Sequence, residues 1–137
     1  MRAIVLFIVI SLFLVTSCSS SEDLAAADRE VEKFHQAFDA GQFEELYDHS
    51  ADDFKKASSK GEFLALLNAV RRKLGKTTGS KRTNWTVNFA TSGNTVAVIY
   101  ETSFTSGKGT EQFVYRIAGK KVVLAGYHVT SNDLIIR

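Results

Sequence analysis

Val96-Ala97-Val98-Ile99-Tyr100-Glu101-Thr102-Ser103-Phe104 decides the fold of this chain. Successive side chains of a strand point to opposite faces. Val96, Val98, Tyr100, Thr102 and Phe104 therefore share one face, and Ala97, Ile99 and Glu101 the other. Most of these residues are β-branched or aromatic, which suits a half-buried pleated surface. The period of two continues on both sides. Upstream, Trp85, Val87 and Phe89 alternate with polar residues, and Gly93-Asn94 makes a turn. Downstream, Ser106-Gly107-Lys108-Gly109 is a second turn and Phe113, Tyr115 and Ile117 follow in phase. Gly119-Lys120 then leads into a last run, Val122 to Thr130. Extended runs joined by hairpin turns predict a four-stranded antiparallel meander, with Trp85 in the core.

Before Gly75 the period is helical. Phe63, Leu66, Leu67, Val70 and Leu74 recur at spacings of three and four. Ser59-Lys60-Gly61-Glu62 opens this helix as a capping box. Gln42 to Tyr47 reads as a shorter helix, and Ala51 to Ala57 as a turn or two around Phe54. Leu24, Ala27, Val31, Phe34 and Phe38 form one apolar stripe of a long first helix, starting at or just before Asp23 and capped by Gly41. Helices first and a meander after them is the α+β pattern.

Composition bounds the rest. The chain has 137 residues, 45% of them hydrophobic and ten of them phenylalanine. One domain of that size builds a core without covalent staples. Cys18 is the only cysteine, so no disulfide forms within the chain. A formal charge of +2 is not that of a nucleic-acid binder. Charges from Glu22 to Asp53 are mostly acidic, and those from Lys55 to Arg82 nearly all basic. Solvated helix faces explain this simply. The sharper alternative is a basic helix at Arg71-Arg72-Lys73 that meets anionic headgroups or an acidic partner.

The first residues read as an address. Met1-Arg2 is followed by an almost wholly apolar run from Ala3 to Val15, the layout of an export signal. It is shorter than the roughly 20 residues of a spanning helix. Val15-Thr16-Ser17-Cys18 resembles a bacterial lipobox, in which a small residue precedes a cysteine. The resemblance implies a diacylglycerol on the Cys18 thiol, cleavage after residue 17 and acylation of the new amino terminus. Acyl chains bind a bilayer at about 0.8 kcal/mol per buried CH2, and more than one makes the anchor stable. An ordinary secretory signal with a stray thiol is the alternative. Residues 18–23 are expected as the lipidated cysteine and a polar tether, and 24–137 as the domain. Ser19, where Asp often marks inner-membrane retention, points to the outer membrane facing the periplasm if the cell is Gram-negative.

Asp39-Ala40-Gly41-Gln42-Phe43 after a long first helix, a helix closed by Leu74-Gly75, and the last strand Leu124-Ala125-Gly126-Tyr127-His128-Val129 resemble the NTF2-like, or cystatin-like, superfamily. The likeness covers roughly residues 25–132 and is nearest to small bacterial envelope families. It implies a curved sheet wrapped round the first helix, a cone-shaped pocket between them, and a bulge, for which Gly126 is a reasonable site. Enzymes of the superfamily place a His-Asp pair or a lone carboxylate in the cone. Candidates for such a role are His35, Asp39, His49, Asp52, Tyr100, Glu101, Tyr115, Tyr127 and His128. His35 and Asp39 are four apart and share a helix face, although a solvent-facing pair explains that spacing too. His128 is in phase to join Tyr100 and Tyr115, or to sit hydrogen-bonded at a sheet rim. Asp48, His49, Asp52 and Asp53 lack the tight spacing of a zinc or calcium loop. They read as caps of exposed amides, so neither metal nor cofactor is expected.

The expectation is thus a lipid-anchored envelope protein with a non-catalytic binding domain, Tyr100, Phe113 and Tyr115 lining its cone for an apolar ligand or a peptide. Its partners would be the membrane through Cys18, and an envelope protein or a second copy through the open sheet. A small isomerase- or dehydratase-like enzyme using His35-Asp39 or His128, or a structural subunit of an envelope complex, are the alternatives.

Overall fold

The computed structural model describes residues 19–136. Cys18 and the apolar run before it lie outside the described residues. Four helices come first: α1 (Ser19–Asp39), α2 (Phe43–Asp48), α3 (Asp52–Ala57) and α4 (Lys60–Leu74). Four strands follow, β1 (Thr77–Asn88), β2 (Asn94–Phe104), β3 (Gly107–Ala118) and β4 (Lys121–Thr130), and a short helix, α5 (Asn132–Ile136), closes the chain. The sheet has the order β1-β2-β3-β4 with every pair antiparallel. This is an α+β fold, as the change of period predicts.

Helix α1 is already formed at Ser19, the first described residue, ahead of the expected start near Asp23. The five residues read as a polar tether are its first turns. They carry no apolar side chain, so periodicity cannot see them, yet Glu22 in the first turn complements the positive end of the helix dipole. Helix α4 has the capping box its sequence advertises: Ser59 accepts from the Glu62 N–H, and Glu62 accepts from the Ser59 N–H. Gly75 ends it at φ +85°, a conformation that favours glycine.

The sheet curls round α1. Between β3 and β4 the register shifts, Val114 facing Gly126 and Tyr115 facing Leu124, so Ala125 is the extra residue of a bulge beside Gly126. The bulge turns both Leu124 and Tyr127 towards the helices. Strand β1 starts at Thr77 and has two further shifts, at 77/79 and 82/84. Trp85 is not core: it is 49% exposed. It pairs with Val98 and so lies on the helix side of the sheet, but β1 is the edge strand and its side chains reach past the cover that α1 gives.

The core is one cluster. Ala27, Val31, Phe34 and Phe38 of α1 pack with Phe63, Leu67, Val70 and Leu74 of α4 against Val96, Val98, Phe113 and Tyr115 of the sheet. Each fully buried side chain of this size stabilises by about 1.5–3 kcal/mol. The Ala51 N–H donates to the Leu124 carbonyl, tying the segment before α3 to the β4 edge.

The molecule has two ends, about 30 Å apart along the 21 residues of α1. At one end the first turns of α1 meet the start of β2, just after the β1–β2 loop, through the Asn94 amide, which donates to Asp23 at 2.7 Å. Gly93 of that loop lies against Ile117 and Ala118, next to the Gly119-Lys120 turn. At the other end the last turn of α1 meets α4 and the start of β1. The Arg71 guanidinium donates to the Asp39 carbonyl, and the Lys73 ammonium to the Leu134 carbonyl. The basic helix end therefore sits at the far end from Ser19, not beside it.

A buried carboxylate between the first helix and the sheet

Strand β3 places Glu111 two residues before Phe113, on the same inward face. Its residue exposure is 2%. Three donors from three other elements converge on it. The His35 ring Nε2–H of α1 donates to Oε2 at 2.6 Å, and the Thr102 hydroxyl of β2 to the same oxygen at 2.6 Å. The Tyr127 hydroxyl of β4 donates to Oε1 at 2.7 Å. A buried carboxylate without partners would be severely destabilising, and here both oxygens are engaged by the chain itself.

Aromatic rings close over the cluster. His35 meets Phe113 edge-on at 5.8 Å, and Phe113 also contacts Phe34, Tyr100, Tyr115 and Tyr127. The Tyr127 phenol is held well above its ordinary value by burial, reinforced by the nearby Glu111 charge. Tyr115 is likewise raised, by burial and then by the charges of Glu30 and Glu111. Its hydroxyl is buried and, among the described residues, has no hydrogen-bond partner. Tyr100 is raised by burial and by its bond to the Asp28 carboxylate, which also pairs with Arg82.

The residues singled out in the sequence scatter. His35 and Asp39 are not a pair. His35, 8% exposed, turns inward to Glu111. The Asp39 carboxylate accepts from the Thr77 N–H at 2.8 Å and the Thr77 hydroxyl at 2.7 Å, fastening the start of β1. His128 does not join the inner tyrosines. It faces Gln112 on the outer side of the sheet and is exposed, because the bulge at Ala125 sends Tyr127 inward in its place. Glu101 is also exposed. Asp48 binds Lys60, and Asp53 binds Arg116, which lowers the Asp53 carboxyl below its usual range. Among the described residues no group of three or more His, Cys, Asp or Glu is placed to hold a metal. Tyr100, Phe113 and Tyr115 are all buried in the core.

Glu111 is the centre that sequence reading missed. The signal was present: it continues the inward phase of Phe113, Tyr115 and Ile117. Chemically, the cluster is a largely buried carboxylate–imidazole pair. A general base must come within about 2.6–3.2 Å of the proton it takes, and the short-range positions around Glu111 are filled by His35, Thr102 and Tyr127. Two clefts lie elsewhere, one of about 670 Å³ between Lys81, Glu101, Lys108 and Asp133, and one of about 420 Å³ beside Asp39, Phe43 and Arg71.

The model of a family described as a protein of unknown function (DUF4019) matches residues 30–127. No curated protein matches the chain. The matched segment spans well over half of the chain and contains His35, Thr102, Glu111 and Tyr127, and the chain belongs to the DUF4019 family.

Proposed function

We propose that the protein is a lipid-anchored module of the bacterial cell envelope, NTF2-like in descent, which acts by binding at its surface and not by catalysis. One observation carries the non-catalytic part: the space between α1 and the sheet is filled by packed rings, and both oxygens of its most deeply buried carboxylate, Glu111, are taken by donors of the same chain. The outer sheet face is the candidate binding surface. It presents half-buried Ala97, Ile99 and Val114 between the exposed Glu101, Gln112 and His128. An envelope protein or a second copy is the occupant this mixed surface suits. The anchor reading rests on the Val15-Thr16-Ser17-Cys18 sequence, with the outer membrane as its place in a two-membrane cell.

The test is metabolic labelling of cells that express the full chain with a fatty-acid alkyne. The chain takes the label, and Cys18→Ser loses it; label that persists in Cys18→Ser refutes the anchor. For the binding half, a photo-cross-linker at Ile99 gives one discrete adduct in membranes that Val114→Lys abolishes; no adduct, or one indifferent to Val114→Lys, refutes this face. A second reading, proton transfer by Glu111 and His35, is favoured by the nearby Tyr115 hydroxyl, which has no partner among the described residues. It requires an opening of the aromatic cover, and deuterium exchange of the β3 amides that stays slow up to global unfolding would exclude it.

A further inference from the structure

The end of the molecule where α1 begins carries features the fold does not use. Phe89, in the β1–β2 loop, is 62% exposed. Trp85, also exposed, precedes it on the edge strand, with Val87 between them packed against the core. The β3–β4 turn beside that loop presents Lys120 and Lys121, both exposed. Contacts that hold this end together include Asn94 to Asp23, Asn94 opposite Ile117 in the sheet, and Gly93 against Ala118. Asp23 is occupied by Asn94, which leaves Glu22 as the exposed acid in the first turn of α1.

The chain outside the described residues fixes what this end faces. Cys18 directly precedes Ser19, which already belongs to α1, so its Cα lies about 3.8 Å from that of Ser19. No tether separates the anchor position from the domain. An anchor at Cys18 brings this end, and not the Arg71-Arg72-Lys73 end, against the bilayer. Exposed aromatic side chains next to lysines are the composition that membrane interfaces accept, rings at the level of the headgroups and ammonium groups among anionic phosphates.

We propose that the domain stands on the membrane by this end, with the Phe89 loop seated in the interface and Lys120 and Lys121 on anionic lipid headgroups. The inference rests on the membrane anchorage proposed above and adds an orientation and a contact surface to it. It also explains why Phe89 is exposed on a loop where a polar residue would serve.

Trp85 is the sole tryptophan and supplies the probe. The full, lipidated chain is reconstituted in vesicles of phosphatidylethanolamine and phosphatidylglycerol, and compared with the Trp85→Phe, Phe89→Trp double variant, both of which float with the vesicles. Bromine atoms near the headgroup end of the acyl chains should quench the indole at position 89 about two-fold or more. They should quench Trp85 less, since four strand residues set it back by roughly 13 Å. Lys120→Glu with Lys121→Glu should weaken the quenching at position 89 in anionic vesicles and leave it unchanged in neutral ones. Flotation with an indole at 89 that bromines do not reach and aqueous iodide does would overturn the orientation while leaving the anchor standing. A wild-type chain that fails to float would remove the anchor reading, and this inference with it.

Discussion

Glu111 accepts from His35, Thr102 and Tyr127 in the interior, so its removal strands three donors at once. Glu111→Ala should lower unfolding stability by about 1–3 kcal/mol or more, the usual penalty for leaving buried donors without their acceptor. Glu111→Gln keeps the volume but turns an amide N–H2 towards donors, and should fall between Glu111→Ala and the wild type in urea midpoint. Equal midpoints for wild type and Glu111→Ala would show that the cluster does not hold the fold. The tyrosines around it separate cleanly. Tyr127→Phe withdraws a donor from the carboxylate and should cost about 1–3 kcal/mol. Tyr115→Phe deletes a buried hydroxyl that has no partner among the described residues, so it should leave stability unchanged or raise it by about 1–3 kcal/mol. Urea denaturation of the two variants side by side checks the contrast, and a loss at Tyr115→Phe as large as at Tyr127→Phe would refute it. At this scale legibility was uneven. The inward phase of Tyr100, Phe113 and Tyr115 could be read from alternation. Glu111 shares that phase, but a carboxylate among inward positions is discounted unless its partners are known, and those partners lie 76, 9 and 16 residues away.

Among the elements, α4 shows how far local chemistry decides boundaries. Ser59 and Glu62 satisfy each other's amides at its start, and Gly75 turns the chain at its end. Ser59→Ala should cost about 1 kcal/mol, the typical loss of an amino-terminal cap. Gly75→Ala should cost more. The residue sits at φ +85°, and an added Cβ would stand 1.8 Å from the Thr105 hydroxyl, so about 1–3 kcal/mol of backbone strain is joined by a displaced side chain. Thermal or urea unfolding with an unchanged m-value ranks the two, and Gly75→Ala at or above the midpoint of Ser59→Ala would contradict the ranking. Strand β1 marks the limit of local reading. Its later half alternates, but Thr77 to Asn84 holds no alternation that points inward. Those residues are in the sheet because Asp39 binds Thr77 and because β2 offers a free edge. The two register shifts and the charges of Lys81 and Arg82 are devices that discourage a further strand from adding there. The same edge position explains why Trp85, core by composition, is half exposed.

At the scale of the whole molecule, the order of periods was enough to give helices followed by an antiparallel meander, because each hairpin turn is written locally and neighbouring strands in the chain are neighbours in the sheet. Which end of α1 meets α4 was not legible, since only packing decides it, and so the basic run at Arg71-Arg72-Lys73 could not be placed relative to Cys18 from sequence. The packing also links stability to pH through one core. Tyr100, Tyr115 and Tyr127 come from three strands and all hold their protons above the ordinary phenol range, chiefly because burial opposes the phenolate. In the unfolded chain each phenol ionises near pH 10. Below that pH both states keep the protons, and this contribution to stability is fully present. Above it the unfolded chain binds fewer protons than the folded one, so stability falls as pH rises towards the folded-state values. Each such proton is worth about 1.4 kcal/mol per pH unit, which gives about 4 kcal/mol per unit at the steepest if all three act together. Urea titrations in steps from about pH 8 to pH 11.5 should show a plateau and then this decline, with the slope about one third smaller in Tyr115→Phe. A plateau that persists through pH 11.5, or a Tyr115→Phe slope equal to that of the wild type, would mean that these hydroxyls reach water in the folded state, and that the interior between α1 and the sheet is open after all.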